Sequence, residues 1–163
     1  MNDEDKSREE LILELRSYRN QCAQLKQVLL KYIDLKSIGG NETILVVDDE
    51  KPVLETISHM LKKYGYSVLT AGSYQAAMEI LTRPETKIHL LLTDVVMPDS
   101  EGPETLGKIK EVLPDLKIVY MSGFISEEIV HNDVFDIIRS GLPFIQKPFS
   151  HEEIGLMIKL QLV

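Results

Sequence analysis

Thr43-Ile44-Leu45-Val46-Val47-Asp48-Asp49-Glu50-Lys51-Pro52 is the stretch that decides the fold. A strand-sized aliphatic and β-branched run breaks off into three consecutive acids. Pro52 then stands where a helix accepts proline, in its first turn. A helical pattern continues from there to Tyr64 and stops at Gly65. The same alternation repeats downstream. Strands are predicted at Tyr66–Ala71, Ile88–Thr93, Leu116–Met121 and Leu142–Gln146, with helices at Tyr74–Thr82, Gly102–Val112 and Glu127–Ile138. The Ile88–Thr93 run is nearly all apolar, as expected for a strand buried on both faces. Ser150 with Glu153 has capping-box spacing ahead of a last helix. Five βα units in a row imply right-handed crossovers and a parallel sheet covered on both faces. The fold class is doubly wound α/β, with five parallel strands.

Upstream of this body, Gly39-Gly40-Asn41 marks a boundary, so that 1–40 forms an N-terminal segment and 41–163 a domain. In the segment Leu11, Leu15, Tyr18, Cys22, Leu25, Leu29 and Tyr32 recur at heptad spacing for about three heptads. Ser7 and Glu10 have capping-box spacing at its start. Two readings stand: a coiled coil that pairs two copies into a homodimer, or an amphipathic helix lying on its own domain.

The net charge of −8 belongs to the body, because residues 1–40 carry seven acids and seven bases. An acidic body without a basic stripe argues against direct nucleic-acid binding. No apolar run approaches the ~18 residues of a membrane span, and the polar start has no signal-peptide core, so the expected location is cytoplasmic. Cys22 is the single cysteine and can form no internal disulfide, in keeping with a reducing compartment. His59, His89, His131 and His151 show no i, i+4 pair, which argues against a histidine metal site.

The chemistry belongs at the carboxyl ends of the strands, where open α/β sheets bind ligands. Asp48 and Asp49 follow the first strand, Asp94 the third, Ser122 the fourth and Lys147 the fifth. Three carboxylates, a hydroxyl and an ammonium are thus expected on one edge. Singly, each has a plain explanation as a turn former, helix cap or solvated charge; together, at the ends of strands of one sheet, they do not. Clustered acids repel one another and are relieved by a hard cation with oxygen ligands, of which Mg²⁺ suits carboxylates, water and a phosphate. An aspartate can also act as a nucleophile and form an acyl phosphate.

Ile44-Leu-Val-Val-Asp48-Asp49-Glu50, Leu92-Thr-Asp94-Val-Val-Met97-Pro98, Tyr120-Met-Ser122-Gly123-Phe124 and Phe144-Ile-Gln-Lys147-Pro148-Phe149 resemble the receiver domain of two-component response regulators (CheY-like), of the type attached to hybrid sensor kinases. The resemblance spans residues 42–163 and implies a flavodoxin-like fold. It implies that Asp94 is the phosphoacceptor, with Asp48, Asp49, Asp94 and the main-chain carbonyl of Val96 as ligands of Mg²⁺. It further implies that Ser122 and Lys147 bind the phosphoryl group and that Phe144 is the switch aromatic. A cis peptide before Pro148 and a histidine kinase or phosphotransfer protein as donor belong to the same expectation. The loop from Asp99 to Glu101 is more acidic than the family often has.

Two other classes compete. A dehalogenase-like hydrolase also uses a strand-end aspartate, but needs a second acid two residues on, where this chain has Val96. A scaffold built on the N-terminal helix, with an inert body, leaves the gathered acids unexplained, since holding them together costs stability. The expected role is therefore a regulatory phosphoacceptor rather than an enzyme with a separate substrate.

Overall fold

The computed structural model describes residues 38–97, 102–123 and 140–163, with backbone alone at 102–105, and the isolated positions 17, 21 and 24. The chain divides into two compact units, Met1–Ser37 and Ile38–Val163. In the first, Ser17, Gln21 and Gln24 are helical and exposed. The heptad seam from Leu11 to Tyr32, the acidic loop at Asp99–Glu101 and the helix expected over Glu127–Ile138 lie outside the described residues.

The second unit runs β1 (Thr43–Val47), α1 (Lys51–Lys63), β2 (Ser67–Ala71), α2 (Tyr74–Leu81), β3 (Leu90–Asp94), α3 (Gly102–Val112), β4 (Lys117–Ser122), β5 (Phe144–Gln146) and α4 (His151–Leu162). The five strands are parallel in the order β2-β1-β3-β4-β5. This is the doubly wound order in which the chain reverses direction of growth beside β1.

Strand side chains alternate between faces, and that alternation builds two cores. Ile44, Val46, Leu90, Leu92, Val119, Met121 and Ile145 pack under α1 and α4 through Leu54, Ile57, Leu61, Ile154 and Ile158. Leu45, Val47, Leu91, Ile118 and Tyr120 pack under α2 and α3 through Tyr74, Ala77, Leu81, Leu106 and Ile109. Burying each such aliphatic side chain contributes roughly 1.5–3 kcal/mol. Among the described residues, the two helix starts that carry a serine are capped. Ser73 Oγ accepts the Ala76 N–H at 3.2 Å. Ser150 Oγ accepts the Glu153 N–H while the Glu153 carboxylate accepts the Ser150 N–H, the capping box that their spacing predicts.

Element boundaries move where side chains intervene. β3 starts at Leu90, two residues later than its apolar run suggests, and ends on Asp94. Ahead of it, His89 Nδ1 accepts the Thr43 N–H at 2.9 Å. β4 extends one residue further, to Ser122. β5 shortens to three residues because Pro143 has no N–H to extend the ladder, although its carbonyl accepts the Tyr120 N–H at 2.8 Å.

Ile38, Gly39 and Gly40 pack on the body as part of the second unit. Ile38 is buried, the Gly40 N–H donates to the Tyr64 carbonyl, and the Lys159 ammonium donates to the Gly39 carbonyl. Tyr64, past the end of α1, also donates its hydroxyl to the His151 carbonyl at the start of α4. Gly155 permits this approach: a methyl there would lie 2.6 Å from Tyr64 Cε2 and 2.9 Å from Ile38 Cγ2. Gly155→Ala should therefore destabilise the fold despite alanine's better helix propensity. Overpacking costs about 1–3 kcal/mol against a propensity gain of about 1 kcal/mol. Urea unfolding measures the balance, and a gain in stability would show that Tyr64 and Ile38 yield freely.

Candidate functional site

The sheet register brings the strand-end residues to one level. Val47 pairs with Thr93, Asp94 with Met121, and Ser122 with Gln146, so Asp48, Asp94, Ser122 and Lys147 follow one another across the carboxyl edge. The Lys147 N–H donates to the Ser122 carbonyl at 2.7 Å, fastening β5's end to β4's. The Lys147–Pro148 peptide is cis, as the family resemblance implies.

Asp48, Asp94 and Ser122 are buried, at 0%, 6% and 3% exposure. The Lys147 ammonium lies between the two acids, 2.5 Å from Asp48 Oδ2 and 2.5 Å from Asp94 Oδ2. Each carboxylate turns its other oxygen to the backbone. Asp48 Oδ1 accepts the Glu50 N–H and Asp94 Oδ1 accepts the Val96 N–H, both at 2.9 Å. Charge and hydrogen bonds together offset the desolvation of two buried anions. The Asp48 bond also shapes the turn that opens α1, so the acid serves fold and site at once.

Burial works to lower the Lys147 pKa, but the hydrogen bonds and charges of Asp48 and Asp94 outweigh it and hold the ammonium above the usual lysine value. One positive charge against two negative ones leaves the buried group anionic.

The structure joins Asp48, Asp94 and Lys147 directly and ties Ser122 to Lys147 through the backbone. Asp49 and Val96 stand exposed, and Phe144 is half-buried against the core shared with Tyr120. The sequence leads one to expect three converging carboxylates; the structure pairs two through an ammonium. β1 ends at Val47; Asp48 is held inward by Lys147 and the Glu50 N–H, while Asp49 lies in the bend that follows and is exposed. Among the described residues, no three His, Cys, Asp or Glu side chains form a ready metal cluster. Two residues were missed in the sequence. Tyr74 and Thr93 reach the main-chain carbonyl of Asp94 from within the core; Thr93 is its neighbour in the chain, whereas Tyr74 comes from α2, twenty residues away, and no local motif announces that contact.

The family model of the response regulator receiver domain matches residues 44–159. The chain belongs to the response regulator receiver family. Its receiver is 30% identical over 122 residues to the sensor kinase CckA of Brucella abortus, a match covering 75% of this chain and 13% of that protein. A receiver domain protein from Clostridium thermocellum superposes with a TM-score of 0.63 at 27% identity, covering 74% of this chain and 94% of that one. The receiver domain of the hybrid histidine kinase CckA superposes with a TM-score of 0.59 at 27% identity, covering 74% and 99%. The chain spans half or less of the length of these curated relatives and others such as the regulator TcrX of Mycobacterium tuberculosis. Receivers of this family are generally regulatory phosphoacceptors of two-component systems and generally bind Mg²⁺. Among the described residues no helix is long and apolar enough to cross a membrane.

Because the folded pKa of Lys147 lies above its ordinary value of 10.5, its ammonium contributes stability in full below that pH. That contribution is lost as pH rises through the folded value. The stability difference between wild type and Lys147→Met, followed by thermal melts, should stay flat from neutral pH to about 10 and narrow only above it. A difference that closes near neutrality would place the lysine's titration on the wrong side of its ordinary value.

Proposed function

We propose that Asp94 accepts a phosphoryl group from a histidine kinase or phosphotransfer protein and that the modified receiver then presents an altered protein-binding surface. The observation that carries this reading is the Lys147 ammonium held between Asp48 and Asp94 at the carboxyl edge of the sheet. An Asp94 oxygen bonds to phosphorus as the phosphorus–nitrogen bond of the donor phosphohistidine breaks, its electron pair remaining on the imidazole. Lys147 and the Ser122 hydroxyl then hold the phosphoryl oxygens.

The donor set suits Mg²⁺. It consists of oxygens alone, from Asp48, Asp49, Asp94 and the Val96 carbonyl, around a buried pair that one ammonium leaves net negative. When bound, the ion supplies positive charge against the phosphoryl oxygens. Movement of Ser122 toward the phosphate frees space beside β4, and Phe144, next to Tyr120 in the register, is the switch aromatic that fills it. The protein works as a regulatory phosphoacceptor in the cytoplasm, without direct nucleic-acid contact, and with no separate substrate to turn over.

Incubated with acetyl phosphate and Mg²⁺, the chain should gain one phosphoryl group, located on Asp94 by mass spectrometry, and Asp94→Asn should gain none. Mg²⁺ at ten times its dissociation constant should stabilise wild type by roughly 1.4 kcal/mol, and Asp49→Ala should lose that response. Label on Ser122 or a histidine would overturn the assignment.

The heptad seam of residues 11–32 supports a homodimer formed through the N-terminal segment. Light scattering should give twice the chain mass for the full chain and the monomer mass for Leu25→Asp, which puts a charge into the seam. A monomeric wild type would favour a helix packed within one chain.

A further inference from the structure

Tyr74, the first residue of α2, is 3% exposed and donates its hydroxyl to the main-chain carbonyl of Asp94 at 2.7 Å. The sheet explains why that carbonyl needs a donor. The N–H of the same peptide unit, on Val95, donates to the Met121 carbonyl of β4 at 2.9 Å. Carbonyl and N–H of a trans peptide point in opposite directions, so the Asp94 carbonyl faces the β1 side. There the pairing of β3 with β1 ends at Val47 and Thr93, and the N–H of Asp48, the first residue past β1, belongs to the ladder on the other side, donating to Ala71 of β2. The Tyr74 hydroxyl fills the place of the missing strand donor. Thr93 Oγ1 supports it, 3.0 Å from the same carbonyl and 3.4 Å from the tyrosine oxygen.

The Asp94–Val95 peptide is thus fastened at both ends, by Tyr74 at its carbonyl and by Met121 at its N–H. The rotations on either side of that peptide set the direction of the Asp94 carboxylate and of the turn to Val96, whose N–H holds Asp94 Oδ1. Burial raises the Tyr74 pKa. The Thr93 hydrogen bond opposes that shift, and the Asp94 and Tyr120 charges add to it. The hydroxyl accordingly keeps its proton and remains a donor at neutral pH.

We propose that Tyr74 is a positioning residue for phosphoryl transfer: by holding the Asp94 peptide, its hydroxyl keeps the carboxylate aimed for attack. The inference rests on Asp94 being the phosphoacceptor and goes beyond it by naming what aims that residue. Preorganised geometry of this kind acts on rate rather than on whether transfer occurs.

The test compares initial labelling of the full chain by acetyl phosphate at saturating Mg²⁺, well below the melting temperature of every variant. Tyr74→Phe, which keeps the ring, should label Asp94 roughly fivefold more slowly, the rate equivalent of one ordinary hydrogen bond. Tyr120→Phe removes the hydroxyl of another buried tyrosine in the same core and should label at the wild-type rate. Equal slowing of both variants would mean a general loss of packing and would overturn the proposal, as would a wild-type rate for Tyr74→Phe. If Tyr74→Phe does not fold, Thr93→Val removes the second hydroxyl on that carbonyl. Its slowing supports the proposal, and its labelling at the wild-type rate overturns it. A wild type that takes no label on Asp94 would refute the phosphoacceptor reading itself, a result distinct from any effect of Tyr74.

Discussion

Two buried carboxylates facing each other across a parallel sheet are unstable neighbours, and the Lys147 ammonium between Asp48 and Asp94 makes them tolerable. Much of the structure around the carboxyl edge serves that contact. β5 is only three residues long, yet its register against β4 and the bond from Lys147 N–H to the Ser122 carbonyl deliver the lysine to the level of the acids. α4 follows within four residues, capped by Ser150 and Glu153 and packed through Ile154 and Ile158, so the segment carrying Lys147 is anchored on both sides.

The arrangement is stiff but incompletely neutralised. Backbone N–H groups of Glu50 and Val96 occupy one oxygen of each acid, and the ammonium occupies the other. Such a site favours one more positive charge and resists one more negative charge unless donors move to meet it. That asymmetry is the physical content of the proposed switch: phosphorylation adds negative charge where Lys147 and Ser122 are the near donors, and Phe144 lies on the strand that carries Lys147. The same logic extends inward to Tyr74 and Thr93, which hold the backbone of the proposed phosphoacceptor from the core side of the sheet.

Much of this was legible in the chain. The aliphatic runs ending in Asp48, Asp94, Ser122 and Lys147 identify both the parallel sheet and the edge where chemistry gathers, because strand ends are marked by local composition. The capping box at Ser150 and Glu153 is local too, and it forms as its spacing predicts. Boundaries were less legible at Leu90 and Phe144, where His89 and Pro143 alter the ends of ladders through bonds to residues far along the chain.

Residue order by itself therefore determined the alternation of strands and helices, the identity of the edge residues and the membership of the receiver family, since each depends on periodicity or on a short motif. Only the tertiary structure decided which acids meet. It buried Asp48 and exposed Asp49, set Lys147 between Asp48 and Asp94, and brought Tyr74 to the Asp94 carbonyl. Those outcomes depend on register between strands and on the direction in which a peptide unit points, and both are settled only when separate segments pack against one another.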